Sequence, residues 1–262
     1  MNTTKANAGK YLGRLEPKDR SHEGKYPAAT LLGIISAKVV ERTLPVPLNL
    51  RTYYDQGQSN ACVGFSSSWM MSIYNTVSRQ RNNPRWKQKT TEHPQKYDAR
   101  WLYRTAQDND LDVRNDPNLD VGTYVWAAMY CLQHFGHKKL EEAESDLRDG
   151  ILSYYWATTV DQVRTAIAIN RPVVFGIPWY EEFNVPVITN KEYWIGTSAN
   201  WGKVLGGHAI CCYAASDERQ AFKLVNSWGT VWQPSWLSYK SFSRLLTEGT
   251  EACIAVDRAT LT

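Results

Sequence analysis

The feature that most constrains this chain is a pair of apolar runs joined by a short polar turn. The runs cover residues 208–215 and 221–225, with the sequence SDERQ between them, a pattern typical of a β-hairpin. His208 opens the first run and Asn226 follows the second, each nine positions from Asp217 in the turn. Residues equidistant from a hairpin turn face each other at roughly 5 Å between Cβ atoms. The pattern therefore predicts that the imidazole and the carboxamide meet.

A histidine paired with an asparagine in this way has a defined chemical use. If the Asn226 oxygen accepts a hydrogen bond from one ring nitrogen, it fixes the tautomer and the orientation of His208. The other ring nitrogen then faces a nucleophile that it can deprotonate. The hairpin therefore predicts an oriented general base whose nucleophile comes from elsewhere in the chain.

The candidate nucleophile is Cys62. From this residue onward, after a turn-forming stretch, apolar side chains recur at helical spacing: Phe65, Trp69, Ile73 and Val77. We expect Cys62 in the first turn of a helix, where unpaired N–H groups and the positive end of the helix dipole favour a thiolate. The same N–H groups can stabilise an oxyanion, and Gln56, six residues upstream, can add a side-chain donor.

Together these stretches resemble the papain family of cysteine peptidases. One matching block is DQG at 55–57, followed by Cys62, Phe65 and Ser66; the other is GHA at 207–209, followed by NSWGT at 226–230 and Trp232. The cysteine lies roughly 150 residues before the histidine and asparagine, which is the order and separation expected for papain-like enzymes. The resemblance extends from about residue 45 to about residue 255, and its specificity lies in these blocks.

The resemblance implies a catalytic role for four residues. Cys62 would be the nucleophile, His208 the general base and acid, Asn226 its orienting partner and Gln56 the oxyanion donor. The implied activity is cysteine-type peptidase activity, the hydrolysis of peptide bonds in a peptide or protein substrate through an acyl-enzyme. This chemistry needs no metal and no cofactor.

Three further residues are implied to line the substrate site. Gly207 immediately precedes the histidine, and Trp228 would shield the His–Asn hydrogen bond from water. Gly122, within DVGTYVW at 120–126, aligns loosely with the glycine-bearing segment of the family's substrate cleft, where it would bind substrate backbone.

The chain departs from the family pattern beside these blocks. Ser59 replaces the cysteine that normally forms a disulfide next to the nucleophile, so that bridge cannot form. Gln233 stands in place of the usual glycine, and Ser235 with Trp236 replaces Gly-Tyr. These changes affect the rim of the site and its specificity more than its chemistry.

The predicted fold class is α+β, a papain-like two-lobed fold spanning residues 45–262. A helical lobe of about 55–150 would carry the cysteine, and a β-rich lobe of about 151–255 would carry the histidine and asparagine. Residue patterns predict helices at 97–106, 123–135 and 160–169, and strands at 172–177 and 236–239. The active site would then lie in the cleft between the lobes.

Residues 1–44 are predicted to form an N-terminal extension. Residues 1–28 are polar and charged, which indicates an arm that packs on the body or on a partner. The apolar run at 29–40 is expected to be a packing strand or helix, with a plug across the cleft as the alternative. Whether the extension inhibits or anchors stays open.

Composition agrees with an enzyme of this class. The chain has 262 residues, 43% of them apolar, which suffices for a substantial core. A net charge of +4 gives little reason to expect nucleic acid. The five cysteines at 62, 131, 211, 212 and 253 suggest neither a disulfide framework nor a zinc site. With no signal peptide or membrane span, we expect a cytoplasmic protein, or one carried in a particle assembled in the cytoplasm.

Weaker candidates have a simpler structural explanation. His134 and His137 could share a metal, but no spaced acidic residue or cysteine completes the set. Glu181 with Glu182 could suggest a glycosidase carboxylate, but a second carboxylate is not identifiable. Residues 79–96 hold six Lys or Arg against one Glu, which indicates a solvated loop or, alternatively, a contact with an anionic partner.

Two alternatives to a general peptidase stay open at the level of sequence. One is a papain-like structural or binding component of a bacteriophage particle, with virion proteins as partners. The other keeps the chemistry and directs it at cell-wall peptides.

Overall fold

A mostly antiparallel sheet runs through the protein. The computed structural model describes residues 12–32, 40–82, 94–116, 120–140 and 148–257. Within them the strands are β1 (Glu41–Thr43), β2 (Ile151–Trp156), β3 (Val173–Tyr180), β4 (Val187–Thr189), β5 (Glu192–Ile195), β6 (Val204–Ser216), β7 (Ala221–Val225), β8 (Ser235–Ser238) and β9 (Glu251–Asp257). Their order is β2-β9-β3-β6-β7-β8-β5-β4, with β1 also paired to β6. Long β6 is thus central, and it carries His208.

Helices cover the chain before and around this sheet. The described helices are α1 (Ser21–Lys25), α2 (Ala28–Leu32), α3 (Cys62–Asn82), α4 (Ala99–Asp108), α5 (Val125–His134), α6 (Val160–Ala168) and α7 (Tyr239–Leu246). Helices α3, α4 and α5 pack on one another, and α3 also packs against β6. The helix that begins at Cys62 is therefore held directly against the strand that carries the histidine.

Helix α3 is long and almost entirely buried over its first four turns. Its aromatic and aliphatic side chains supply the apolar surface, while small residues allow neighbouring backbone to approach closely. At Gly64, an added Cβ would overlap the carbonyl oxygen of Ala99 and come within 2.9 Å of the Tyr103 Cβ. This contact fixes α4 against the start of α3, directly behind Cys62.

The hairpin of β6 and β7 forms, but its register differs from the sequence prediction. Ser216 pairs with Ala221 inside the ladder, so the turn is shorter than SDERQ, and a bulge lies between Cys212 and Ala214. Beyond the bulge Cys211 pairs with Val225. This partner lies two residues further along the chain than symmetry about Asp217 predicts. A shift of two keeps the same side chains on the same face of the sheet.

The predicted α+β, papain-like architecture is confirmed. Helices α3, α4 and α5 lie between β1 and β2 in the chain, with Cys62 at the start of α3, and the chain from β2 onward is β-rich. The helices predicted at 97–106, 123–135 and 160–169 are present, with ends that differ from the prediction by at most two residues. The predicted strand at 172–177 extends to Tyr180 as β3. The boundaries at residues 44 and 150 stay predictions.

Part of the N-terminal extension is described. Helix α2 packs against α6 and β2, so this part of the run at 29–40 is a packing element and not a plug. Residues 1–11 and 33–39 lie outside the described residues, as do 83–93, which make up most of the basic segment. Among the residues that are described, no helix has both the length and the hydrophobicity to cross a bilayer.

Candidate active site

His208 and Asn226 meet at the end of the β6–β7 hairpin. The His208 Nε2 atom lies 2.8 Å from the Asn226 Oδ1 atom, and both residues are buried. The β6–β7 pairing places Cys211 opposite Val225, and the same register extended by three residues places His208 opposite Trp228. Asn226 is then the diagonal neighbour of His208 on the same face of the sheet. Diagonal neighbours on a sheet stay within reach of long side chains. The predicted contact therefore forms by a different pairing from the one expected.

The hydrogen bonds around Asn226 define the tautomer of the histidine. The Oδ1 atom of Asn226 also accepts a hydrogen bond from the backbone N–H of Ser227 at 2.7 Å. This atom is therefore the carbonyl oxygen of the carboxamide, and His208 must donate from Nε2. In the neutral ring the Nδ1 atom then carries the lone pair, which is the form required of a general base.

Two tryptophans enclose the His–Asn pair. The ring of Trp228 lies 5.0 Å from the His208 ring between centroids, and that of Trp179 lies 4.6 Å away in an edge-on arrangement. The two indoles also contact each other, with centroids 5.0 Å apart. Both are fully buried, so they exclude water from a hydrogen bond that is stronger in a low-dielectric surrounding.

Cys62 is the first residue of α3, as predicted. The side chain is buried, and backbone groups of Ala209, Gly13 and Val63 lie within hydrogen-bonding range of the thiol. These groups and the charge of Arg14 favour the thiolate, but burial dominates and raises the pKa of Cys62 to about 11. In this arrangement the thiol is protonated at neutral pH, contrary to the expectation of a stabilised thiolate.

Gln56 connects the two walls of the site. Its Nε2 atom donates to the Ser59 carbonyl oxygen at 2.7 Å, and its Oε1 atom accepts from the Ser227 hydroxyl at 2.6 Å. The backbone N–H of Gln56 also donates to the Ser227 carbonyl oxygen at 2.9 Å. The side-chain amide nitrogen of Gln56 is a hydrogen-bond donor, which is the kind of group that the oxyanion role requires.

A short piece of the N-terminal extension, residues 12–15, lies across this site, and we call it the cleft segment. From the helical side, the Thr123 N–H donates to the Gly13 carbonyl oxygen at 2.9 Å, and the Leu15 N–H donates to the Thr123 carbonyl oxygen at 3.0 Å. From the β side, the Gly207 carbonyl oxygen accepts from the Arg14 N–H at 3.0 Å. The segment thus occupies the cleft as an extended peptide in contact with both walls.

The position of the cleft segment depends on three glycines. A Cβ on Gly13 would overlap the Asn60 carbonyl oxygen, one on Gly122 would overlap the Gly13 carbonyl oxygen, and one on Gly207 would overlap the Arg14 carbonyl oxygen. Gly122 also has a φ of +89°, which other residues rarely adopt. Gly122 and Gly207, both expected at a substrate cleft, therefore lie where the backbone of a peptide runs.

Hydrogen bonds stabilise the loop before Cys62, where Ser59 stands at the position expected for a bridging cysteine. The Asn60 N–H donates to the Asp120 carboxylate at 2.9 Å, and the Asn60 carboxamide donates to the Asp120 carbonyl oxygen at 2.5 Å. Tyr103 adds a bond from its hydroxyl to the same carboxylate at 3.1 Å. All five cysteines are buried and free.

The weaker candidates from the sequence have structural roles. The Nε2 atom of His137 lies 2.8 Å from the Ser68 hydroxyl, and the Nδ1 atom of His134 lies 2.9 Å from the Tyr130 carbonyl oxygen. The Glu182 carboxylate accepts hydrogen bonds from Thr197, and Glu181 accepts one from the Lys203 N–H. Across the part of the chain that the structure describes, no group of three metal-binding side chains forms.

The fold is that of the papain-like cysteine proteases. Xylellain, a cysteine protease from Xylella fastidiosa, matches 97% of this chain and 99% of its own, with a TM-score of 0.62 and 15% identity. A procathepsin B from Trypanosoma congolense matches 96% of this chain and 88% of its own, with a TM-score of 0.61 and 12% identity. A digestive procathepsin L from Tenebrio molitor gives a TM-score of 0.55 at 14% identity, over 96% of this chain and 75% of its own.

Sequence comparison finds a short match to a viral protein. An uncharacterized peptidase C1-like protein of Acanthamoeba polyphaga mimivirus is 27% identical over 73 residues, which cover 28% of this chain. The match spans only 23% of the viral protein. No protein-family model matches the sequence.

Sequence reasoning missed several residues of the site. Ser227 belongs to the matched NSWGT block, but its bond to Gln56 becomes visible only in three dimensions. Trp179 follows a run of strand residues and could have been assigned to the same strand. Gly13 and Arg14 lie in a stretch without a motif, so the sequence offers no signal for them.

Proposed function

We propose that this protein is a cysteine peptidase with Cys62 as nucleophile, His208 as general base and acid, and Asn226 as the residue that orients the histidine. The observation that carries the proposal is the hydrogen-bonded His208–Asn226 pair at a cleft that begins at Cys62 and holds an extended peptide, the cleft segment. The papain-like fold supports it.

The chemistry proceeds in two balanced steps. The Cys62 thiol loses its proton to Nδ1 of His208, and its sulfur attacks the carbonyl carbon of a peptide bond. The histidine returns that proton to the departing amine, which leaves an acyl-thioester on Cys62. Water, deprotonated by the same histidine, then hydrolyses the thioester and releases the carboxylic acid and the thiol.

The negative oxygen formed in each step needs hydrogen-bond donors. The backbone N–H of Cys62, at the start of α3, is one, because the first N–H groups of a helix have no partner within the helix. The Gln56 carboxamide, held in place by Ser59 and Ser227, is the second. Losing one such donor typically lowers the rate by about 100-fold to 1,000-fold.

Turnover requires the cleft segment to leave. Its backbone uses the Thr123 and Gly207 hydrogen bonds that a substrate would use, and it buries the Cys62 thiol. Displacement by a substrate, or release of the segment by cleavage, would expose the thiol and lower its pKa. The described conformation is therefore the latent form of the enzyme.

Three possibilities lead to different experimental results: hydrolysis of protein substrates, hydrolysis of cell-wall peptides, and a structural or binding role in a bacteriophage particle. A structural component bound to virion proteins would keep its fold and its complexes when Cys62 is replaced. A wall hydrolase would release peptides from murein and leave unbranched peptides intact.

The test is hydrolysis of a mixed library of internally quenched peptides by the full chain carrying Arg14→Ala. This variant removes the buried ion pair of Arg14 with Glu251 and so weakens the binding of the cleft segment. We expect cleavage at pH 7, and its loss in the double variant Arg14→Ala/Cys62→Ala. Absence of cleavage together with no reaction of Cys62 with iodoacetamide or a peptidyl epoxide would refute the proposal.

A further inference from the structure

A cavity of about 610 Å³ lies between the loop that follows β5 and the start of α7. Residues 194–199 and Trp201 form one side of it, and Ser238 with residues of α7 forms the other. Within the described chain, this wall shares no residue with the wall of the peptide cleft. The volume falls within the range of about 300–1,000 Å³ that is typical of small-molecule sites. The cavity is therefore a second concave surface of a size that suits a ligand.

The charged side chains of the cavity are both positive. Lys240 and Arg244 line it from α7, and residues four apart lie on the same face of a helix, one turn from each other. Among the described residues of the wall there is no aspartate or glutamate. The Arg244 Nε atom donates to the Glu248 carboxylate at 2.8 Å, and the guanidinium has four further N–H groups. An anion in the cavity would therefore be attracted by two cations.

The start of α7 adds the backbone of a helix terminus to this wall. Ser238 is the N-cap, and its hydroxyl oxygen accepts a hydrogen bond from the Ser241 N–H at 2.9 Å. Ser238, Lys240 and Ser241 all line the cavity, so the first turn of the helix borders it. The first N–H groups of a helix have no partner within the helix, and the positive end of its dipole favours anions. The helix start therefore acts in the same direction as the two side-chain cations.

On the opposite wall, the buried indole N–H of Trp201 has no acceptor among the described residues. Trp201 is 3% exposed, and the edge of its ring that carries Nε1 faces Gly196. The Cζ2 atom, which is bonded to the same ring carbon as Nε1, lies 3.4 Å from the position of a Cβ on Gly196. The guanidinium of Arg244 covers the face of the ring, 3.8 Å from its centre. A buried donor without an acceptor is unfavourable, and an oxygen of a ligand in the cavity would supply one.

The donors of the cavity suit a group with several oxygens. A carboxylate has two oxygens, whereas a phosphate or sulfate monoester has three terminal oxygens, and charge-assisted hydrogen bonds from arginine and lysine bind such groups strongly. The half-buried Trp194 in the same wall supplies an aromatic surface for an attached ring. We propose that this cavity binds a small molecule that carries a phosphate or sulfate group on an aromatic ring. The site is separate from the peptide cleft, so the proposal stands independently of the peptidase function.

The experiment measures affinity by isothermal titration calorimetry on the full chain carrying Cys62→Ala, which removes the proposed nucleophile. The probes are phenyl phosphate, phenyl sulfate, the two inorganic anions, and benzyl alcohol. We expect one of the two esters to bind at least about tenfold more tightly than benzyl alcohol, which has the ring without the charge. It should also bind more tightly than its inorganic anion, which has the charge without the ring. The ester that binds more tightly identifies the anionic group.

Three variants locate the binding site. Lys240→Gln should raise the dissociation constant of the preferred ester at least about fivefold, because it removes a charged donor. Its matched control is Lys203→Gln, since Lys203 is also an exposed lysine and its replacement changes the net charge equally, but it lies outside the cavity wall. The control should keep the dissociation constant within about twofold of that of the parent chain. Trp201→Phe keeps an aromatic ring and removes the N–H, and should raise the constant about threefold or more.

Lys240 is exposed, so its replacement should leave the midpoint of thermal unfolding unchanged and keep the test independent of folding. An ester that binds no more tightly than benzyl alcohol or the inorganic anion would overturn the inference. An equal loss of affinity in Lys240→Gln and Lys203→Gln would overturn it as well, because the effect would then be one of net charge. The absence of saturable binding of either ester, or an unchanged dissociation constant in both Lys240→Gln and Trp201→Phe, would have the same consequence.

Discussion

The reactivity of Cys62 should report whether the cleft segment is in place. Burial raises the pKa of Cys62 from its ordinary value of 9.0 to about 11. A rise of this size lowers the thiolate fraction at pH 7 about 100-fold, because only the thiolate reacts and its population falls tenfold per pKa unit. Iodoacetamide should therefore alkylate Cys62 of the wild-type chain at least about 100 times more slowly than an exposed cysteine.

Arg14→Ala is the perturbation that should release this block. Arg14 forms an ion pair with Glu251 at 2.9 Å, and the two side chains are 1% and 0% exposed. Removal of one partner from a buried ion pair typically costs about 3–5 kcal/mol, and each 1.4 kcal/mol or so is a tenfold change in an equilibrium constant. The ratio of closed to open cleft should therefore fall at least about 100-fold. The Arg14 charge itself lowers the pKa of Cys62, so its loss alone would slow alkylation. Faster alkylation of the variant would thus report opening of the cleft.

The assay is the alkylation rate of the Cys62 peptide between pH 6 and pH 10, followed by mass spectrometry. The four other cysteines are buried and serve as internal references for unfolding. Arg20→Ala is the matched control, because Arg20 also belongs to the N-terminal extension and donates to the Thr250 carbonyl oxygen at 2.5 Å. A wild-type Cys62 that reacts as fast as an exposed thiol at pH 7, with no change in Arg14→Ala, would refute the reasoning about the cleft segment.

Three further changes test the residues around the site. Asn226→Ala removes the partner that orients His208, a hydrogen bond that strengthens when the ring is charged and contributes about 1.5–3 kcal/mol. Its loss should lower kcat about 10-fold to 150-fold and leave the circular dichroism spectrum unchanged. An unchanged kcat would contradict the orienting role. Ser227→Ala frees one end of the Gln56 carboxamide and should lower kcat more than it raises KM, whereas a change in KM alone would contradict the oxyanion role. Burial lowers the pKa of His137 from 6.5 to about 3, so that on acidification the unfolded chain binds the proton before the folded chain does. The buried neutral ring therefore contributes its full stability above pH 6.5. Between pH 6.5 and pH 3 the free energy of unfolding should fall by about 1.4 kcal/mol per pH unit. In urea unfolding, His137→Gln should flatten this pH dependence, and an unchanged slope would contradict the assignment.

The site could be predicted to the extent that its parts are local in the sequence. The start of α3 at Cys62 follows from helical spacing, and the meeting of His208 with Asn226 follows from two apolar runs around a turn. The register could not be predicted, because the bulge between Cys212 and Ala214 leaves no mark in the pattern. The contact survived this error because the shift is an even number of residues.

What the sequence could not reveal depends on long-range packing. The extension was expected to pack on the body, yet no periodicity indicates that residues 12–15 enter the cleft. Their path is set by three glycines and by an ion pair between residues more than 200 positions apart. The protonated state of Cys62 is a consequence of that packing, since the helix start alone favours the opposite charge state.

The most direct test of the central claim is to trap the covalent intermediate. The full chain carrying Arg14→Ala is mixed with a peptide thioester, quenched in acid within milliseconds and digested for mass spectrometry. We predict that the acyl group is found on the Cys62 peptide, that it disappears on longer incubation, and that it is absent in the Arg14→Ala/Cys62→Ala chain. An acyl group on any other residue, or none while the peptide is being hydrolysed, would contradict the assignment of Cys62 as the nucleophile.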